Sequence, residues 1–142
     1  MKLVLSLVLL LLVTPPLANV ARADSRLLGP WKAVTYTIGA KDYPMQGVFI
    51  FTAKYYAGNV RFKFSGGTVD DANANSGPYR IEGNAIVFSQ TVQVHLRPGD
   101  AKEPLLSREG PDERSNYRID GNRLTLTFPG GNRYVLERLS DQ

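Results

Sequence analysis

The sequence contains no cysteine and only one histidine, and these two shortages remove several classes of site. Without cysteine, the fold has no disulfide bond, no thiolate metal site and no lipidated amino-terminal cysteine. With His95 alone, no histidine cluster can bind a metal, and no G-x-S-x-G turn is present to display a nucleophilic serine. We therefore expect no metal and no cofactor, and we assign no catalytic residue.

Long hydrophobic runs are also missing, apart from one near the start of the chain. Leu3–Val13 is almost wholly apolar, but this run is too short to cross a bilayer, which takes about 20 residues. Lys2 precedes the run, and Ala21-Arg22-Ala23 follows it as an A-x-A cleavage pattern. The pattern predicts a signal peptide at residues 1–23 and one mature domain at 24–142. We expect an exported protein, periplasmic or secreted, with no stable membrane anchor.

Charge of one sign is not concentrated anywhere in the mature chain. Loss of residues 1–23 removes two basic residues and no acidic ones, so the formal net charge falls from +4 to +2. The remaining cations are spread along the chain and form no block of the kind that binds nucleic acid. We therefore expect no nucleic-acid partner. The scattered basic residues are exemplified by Arg61, Lys63, Arg80, Arg118, Arg123 and Arg133.

A ten-residue phrase is present twice, as YRIEGNAIVF at residues 79–88 and as YRIDGNRLTL at residues 117–126. The Gly-Asn pair in the middle of each phrase suits the positive φ of a tight turn. Apolar residues alternate on both sides of that turn, which is the period of a β-strand. Each phrase therefore predicts a β-hairpin. The apolar faces consist of Tyr79, Ile81, Ile86 and Phe88, and of Tyr117, Ile119, Leu124 and Leu126.

The rest of the chain also favours strands, because no segment keeps a helical period of 3.6 residues. Many short strands with Gly-rich turns predict an all-β protein, and consecutive hairpins favour an antiparallel up-and-down barrel of about eight or nine strands. Early strands are expected at residues 31–38, 47–52 and 59–64. Irregular connections are expected at residues 39–44, 57–59, 68–78 and 97–114.

The pieces together resemble the lipocalin-like domain family of the calycin superfamily, in its small bacterial exported form. The resemblance lies in Leu28-Gly29-Pro30-Trp31, in the segment Tyr43–Gly58, in the two repeated hairpins and in the closing strand Tyr134–Arg138. It implies that Trp31 plugs one end of the barrel, with Arg138 packed across it. It also implies that the barrel binds a small hydrophobic or amphipathic molecule without catalysis.

The candidate ligand contacts are aromatic residues of the predicted strands together with the one histidine. They are Phe49, Phe51, Phe62, Phe64, Tyr79, His95, Tyr117 and Tyr134. The same aromatic residues could instead fill a packed core, because most buried aromatic side chains do so. Two other functions stay open. One is a periplasmic interaction or inhibitor protein acting through the 97–114 loop and the barrel rim, and the other is a small-barrel isomerase or cyclase using His95.

One further pattern concerns calcium. Asp71-Ala72-Asn73-Ala74-Asn75 is followed by Glu82 at the twelfth position, which is the spacing of oxygen ligands in a calcium-binding loop. Ser76 stands where such loops have glycine, and the flanking residues predict strands rather than helices. Turns are also rich in Asp and Asn for other reasons. We therefore expect a polar loop here and not a calcium site.

Overall fold

The computed structural model describes residues 24–63, 70–96, 105–107 and 111–140, without the side chains of residues 70, 95, 96 and 105–107. Every regular element in these ranges is a β-strand. No helix in them is long and apolar enough to cross a membrane. The strands are β1 Gly29–Ile38, β2 Lys41–Phe51, β3 Tyr55–Lys63, β4 Asp70–Glu82, β5 Ala85–Phe88, β6 Val92–Leu96, β7 Leu105–Ser107, β8 Glu113–Asp120, β9 Arg123–Thr127 and β10 Arg133–Arg138.

Eight of these strands form a closed antiparallel barrel. The hydrogen-bonded order runs β3-β2-β1-β10-β9-β8-β5-β4, and β4 pairs back with β3 to complete the ring. The β6–β7 hairpin lies outside that ring and pairs with β4 through residues 72–76. The predicted all-β, lipocalin-like barrel is therefore confirmed. Ring closure leaves no open sheet edge between the eight strands.

The core lies inside the barrel because successive side chains of each strand point alternately inward and outward. β3 shows this clearly, since its burial alternates residue by residue along all nine positions. The largest fully buried apolar side chains belong to six different segments, so the core is shared around the ring. They are Leu27, Trp31, Phe51, Ile86, Leu124, Leu126 and Leu136.

The repeated phrases form the two predicted hairpins, β4–β5 and β8–β9. Tyr79 pairs with Phe88 across the first hairpin, and Tyr117 pairs with Leu126 across the second. Gly83 has φ of 64° and Gly121 has φ of 57°, a region that residues with a Cβ atom enter with difficulty. The residues of the predicted apolar faces belong to the core cluster or, for Ile81, Tyr117 and Ile119, pack against it. The repetition therefore reflects two neighbouring corners of one barrel.

A network of ion pairs crosses the outer surface of β5. Arg80 contacts Glu82 at 2.8 Å and Asp112 at 2.9 Å, and Glu82 also pairs with Arg114. Arg80 belongs to β4 and Arg114 to β8, whereas the β5 residue between them is Val87. Val87 is only 3% exposed although it faces outward. The long arginine side chains and their partners thus cover β5 while their charged ends stay in water.

Three of the expected connections before residue 79 are wrong. Lys41–Pro44 belongs to β2, residues 57–59 lie inside β3, and residues 70–78 form most of β4. In each case the backbone finds a partner strand over its full length, and this pairing outweighs the weak strand preference of Gly, Asn, Asp and Pro. The turn between β2 and β3 lies instead at residues 52–54, where the Thr52 hydroxyl accepts a hydrogen bond from the Tyr55 N–H.

The expected irregular stretch at 97–114 is also partly wrong. Residues 105–107 form β7 and pair with β6, and β8 already begins at Glu113. Leu105 and Leu106 are the only adjacent apolar residues of the stretch, which is consistent with their forming a strand. Residues 97–104 and 108–110 lie outside the described ranges. Phe64 also lies outside them.

The amino-terminal segment closes one end of the barrel. The Trp31 indole donates a hydrogen bond to the Leu27 carbonyl at 2.8 Å, and Leu27 is fully buried. Arg138 Cζ lies 4.0 Å from the centre of the Trp31 ring. The same guanidinium donates to the Leu28 carbonyl at 2.8 Å and to the Arg26 carbonyl. The stacking inferred from the resemblance is thus present, and it ties the last strand to the segment before the first.

Candidate functional site

A cavity of about 610 Å³ occupies the other end of the barrel. Exposed residues such as Asp112, Arg114 and Pro129 take part in its lining, so the cavity reaches the surface. Eight strands leave a barrel just wide enough for one small molecule. The described lining consists of Tyr36, Phe49, Tyr56, Asn73, Asn75, Phe88, Gln90, Gln93, Pro111, Asp112, Glu113, Arg114, Leu126, Phe128, Pro129, Asn132 and Tyr134.

Aromatic rings form the apolar part of this lining and hold one another in fixed orientations. Tyr134 makes edge-on contacts with Tyr36 and with Phe128, at centroid distances of 4.9 and 4.8 Å. Tyr56 contacts Phe88 in the same way at 4.6 Å. Edge-on ring pairs are favourable because the positive edge of one ring meets the negative face of the other. The wall is therefore preformed and largely apolar.

Glycine at position 58 creates the room for one of these rings. Gly58 pairs with Phe49 on β2 and with Asn75 on β4. A Cβ atom on Gly58 would lie 2.4 Å from the Phe49 ring and 3.0 Å from Asn75 Oδ1. Because the side chain is absent, the aromatic ring can lie over the backbone of β3. A methyl group at position 58 would displace the Phe49 ring and so change the shape of the cavity.

Polar side chains of β4 form another part of the lining. Asn73 and Asn75 are two residues apart, so both point to the same side of the strand. Their Oδ1 atoms are buried and accept no hydrogen bond within the described part of the chain. The Tyr56 hydroxyl is also buried, and it neither donates nor accepts a hydrogen bond there. Unsatisfied buried polar atoms are rare and costly in folded proteins. Three of them line one cavity, so a polar group that enters it can form hydrogen bonds with all three.

The calcium pattern that includes these residues does not form a loop. Asp71, Asn73 and Asn75 follow one another along an extended strand, so their side chains cannot converge on one ion as they do in a calcium-binding loop. Within the described ranges, no group of three or more His, Cys, Asp or Glu side chains is placed to hold a metal ion. The alternation of Asp and Asn with Ala at residues 71–75 is therefore that of a strand whose polar face points into the barrel.

Glu113 adds a carboxyl group to the cavity. It is the first residue of β8 and pairs with Phe88, and Gln90 Nε2 donates a hydrogen bond to its Oε2 at 3.0 Å. Burial raises the pKa of Glu113, and the hydrogen bond from Gln90 offsets this only in part. No lysine or arginine pairs with Glu113 among the described residues. Within the described part of the chain, the site therefore contains a half-buried acid without a compensating cation.

The tyrosine hydroxyls of the cavity stay protonated in neutral solution. Burial raises the pKa of Tyr36, Tyr56 and Tyr134. The negative charges of Asp71 and Glu113 raise it further for Tyr36 and Tyr134, and that of Glu113 raises it further for Tyr56. All three groups are therefore neutral hydroxyls that can donate a hydrogen bond to a ligand or accept one from it.

The cavity contains only part of the set of ligand contacts predicted from the sequence. Phe49 and Tyr134 line it. Phe51, Phe62 and Tyr79 lie in the buried core instead, and the Tyr79 hydroxyl donates to the Thr52 carbonyl at 2.6 Å. Tyr117 lies at the closed end, where its hydroxyl donates to Asp24 Oδ2 at 3.1 Å.

Two predicted contacts cannot be placed. Phe64 and the side chain of His95 lie outside the described part of the chain. The backbone of His95 belongs to β6 and pairs with Asn73 and with Leu105. The interaction and isomerase alternatives, which depend on the 97–114 segment and on His95, therefore stay predictions.

The sequence reasoning missed most of the polar lining. Asn73 and Asn75 were assigned to a loop, and Glu113 to the irregular 97–114 stretch. The period-two alternation of Asp and Asn with Ala was the available signal, because it matches a strand with one polar face. Glu113 gave no comparable signal, since one acidic residue at a strand end is ordinary on a protein surface.

The search of protein families finds none that matches this chain, and the search of curated proteins finds no match either. What the structure shows is a barrel of lipocalin-like architecture, with Trp31 and Arg138 at its closed end. Architecture alone fixes no activity, so function has to be argued from the cavity.

Proposed function

We propose that this protein binds one small, mainly apolar molecule in the open end of its barrel. The observation that supports this best is the cavity of about 610 Å³ with preformed aromatic walls and a few inward polar groups. Ligand cavities are typically about 300–1,000 Å³ and combine apolar walls with a small number of polar contacts. A ligand that hydrogen-bonds to the inward polar atoms would satisfy them.

We further propose that the protein is exported and belongs among the lipocalin-like proteins. Asp24, the first residue after the predicted cleavage site, accepts hydrogen bonds from the Tyr117 hydroxyl and, through its backbone carbonyl, from the Leu27 N–H. Arg26 forms an ion pair with Asp24 at 2.8 Å. A mature chain beginning at Asp24 would therefore keep every described contact of the closed end.

The first experiment is a titration of the purified mature protein with Nile red, a neutral apolar dye whose fluorescence rises in apolar surroundings. We expect saturable binding of one dye per chain. Asn75→Phe should abolish it, because the added ring fills the cavity from the inward face of β4. Ala74→Phe is the matched control, since the neighbouring residue points to the opposite side of the same strand. Dye binding that is absent, or that survives Asn75→Phe unchanged, would refute the proposal.

A further inference from the structure

The unpartnered polar atoms of the cavity can all act as hydrogen-bond acceptors. They are Oδ1 of Asn73 and of Asn75 and the hydroxyl oxygen of Tyr56. Tyr56 is 4% exposed, so water outside the barrel does not reach it readily. Each amide oxygen needs a partner that brings an N–H or O–H group, and the Tyr56 hydroxyl can accept from such a partner or donate to it. The ligand should therefore carry several donors.

Glu113 adds a charge requirement. When ionised, a carboxylate accepts hydrogen bonds only, and the one described partner of Glu113 is the neutral amide of Gln90, at 3.0 Å. A neutral donor leaves the negative charge uncompensated in a place where burial disfavours it. A cation bound at Glu113 would remove this cost and form a charge-assisted hydrogen bond, which is stronger than a neutral one.

The other charged residues of the lining are already paired elsewhere. Asp112 accepts hydrogen bonds from Ser89 at 2.6 Å and from Arg80 at 2.9 Å. Arg114 pairs with Glu82 on the outer surface of β5. Neither of them compensates Glu113, so the described lining presents a net negative charge to a ligand.

The aromatic walls are suited to the same kind of ligand. Tyr36, Tyr56 and Tyr134 all line the cavity and all lie within the electrostatic influence of Glu113. The face of an aromatic ring attracts an organic cation, and this attraction is larger when water is excluded. Acidic, acceptor-rich and aromatic surfaces thus meet in one cavity.

We infer that the ligand is a protonated amine on an apolar body, with its ammonium group at Glu113 and its donors toward Tyr56, Asn73 and Asn75. This inference rests on the proposed function, because it names the ligand class of the same cavity. The observations that carry it are one half-buried carboxyl with no cation among the described residues, two buried amide oxygens without a donor and one buried hydroxyl without a partner.

The test compares three probes that share an indole ring and differ in charge: tryptamine as the cation, tryptophol as the neutral alcohol and indoleacetate as the anion. Calorimetric titration of the mature protein at neutral pH should show tryptamine binding about tenfold or more tightly than tryptophol. Indoleacetate should bind most weakly. Glu113→Gln should reduce the preference for tryptamine to about twofold or less and leave tryptophol binding nearly unchanged.

Two further variants make the test specific. Glu137→Gln removes a carboxylate from an exposed position of β10 and should leave all three affinities unchanged. Tyr56→Phe keeps the ring and removes the unpartnered hydroxyl, so it should weaken tryptamine binding a few-fold in a variant that still folds. Circular dichroism of each variant checks the fold.

Several results would overturn the inference. Equal binding of tryptamine and tryptophol would exclude a cation preference, and so would tighter binding of indoleacetate. A preference for tryptamine that persists in Glu113→Gln would exclude Glu113 as its cause. If Nile red binds in the cavity and none of the three probes does, the amine class is wrong while the proposed binding function stands. If Nile red does not bind either, the proposed function itself fails.

Discussion

At the scale of single residues, Glu113 shows that the cavity is not arranged for stability alone. It faces inward on β8 beside Ser115, which is 1% exposed, in a position where an apolar residue would pack without a charge. Desolvation penalises its ionised form, and no described cation offsets that penalty. A group of this kind destabilises the unliganded protein in neutral solution, which is common at functional sites.

The pH dependence of stability should reveal this cost. Because the pKa of Glu113 is higher in the folded state, the folded state binds more protons, and the contribution of Glu113 is fully present below the unfolded pKa of about 4.3. It is lost as pH rises through the folded pKa. We therefore expect Glu113→Gln to be more stable than the wild type at pH of about 8, with a smaller gain at pH of about 4, in urea unfolding. An equal difference at both pH values would contradict this.

At the scale of elements, β4 closes the barrel, because it pairs with β5 in the strand order and also with β3. One of its edges pairs with β3 over residues 70–78, and the other pairs first with β6 and then with β5. The connection between β5 and β6 therefore passes close to β4 at the point where the partner of β4 changes from β6 to β5. Gly77 lies at this point, and Ser76 accepts hydrogen bonds there from the backbone and hydroxyl of Thr91.

Gly77→Ala should destabilise the barrel. A Cβ atom on Gly77 would lie 1.9 Å from the Ser89 carbonyl oxygen, and backbone atoms cannot move aside as a flexible side chain can. Overpacking of this kind costs about 1–3 kcal/mol in the free energy of unfolding. Ser76→Ala at the neighbouring position is the control, because the hydrogen bonds there involve its carbonyl group. Urea unfolding midpoints that coincide for the two variants would show that β4 and the β5–β6 connection can separate without cost.

The contrast between hairpins and β4 explains what could be predicted from the sequence. The β4–β5 and β8–β9 hairpins were predictable because their turns and their alternation are local signals that agree with each other. The first half of β4 was not, because Asp71, Asn73 and Asn75 are turn-forming residues that are held in a strand by pairing with β3 on one edge and with β6 on the other. The polar part of the cavity was missed for the same reason, since it lies on this half of β4.

At the scale of the whole molecule, the barrel divides its tasks between its two ends. The closed end contains Trp31, Arg138 and the Gly-Asn turns, and it accounts for several of the fully buried side chains. The open end contains the cavity with its unpartnered polar atoms. Packing at the closed end can therefore offset the free-energy cost of the polar atoms at the open end, because the closed ring makes both ends part of one folding unit.

Arg138→Gln tests whether the two ends are independent. The change removes the cation over the Trp31 ring and the hydrogen bonds to the Leu28 and Arg26 carbonyls. Those carbonyls lose a charged partner, so we expect a loss of about 2 kcal/mol or more in the free energy of unfolding. Trp31 is the only tryptophan, so its fluorescence should report the change directly.

Nile red affinity of the folded Arg138→Gln variant should equal that of the wild type, because no described contact of Arg138 reaches the lining of the cavity. Arg133→Gln, at the exposed opposite end of the same strand, controls for the loss of a positive charge and should leave the Trp31 fluorescence unchanged. A variant that loses stability and dye affinity together, measured where it is fully folded, would show that the plug shapes the cavity through the strands. Unchanged stability would instead show that the stacking on Trp31 contributes little to closing the barrel.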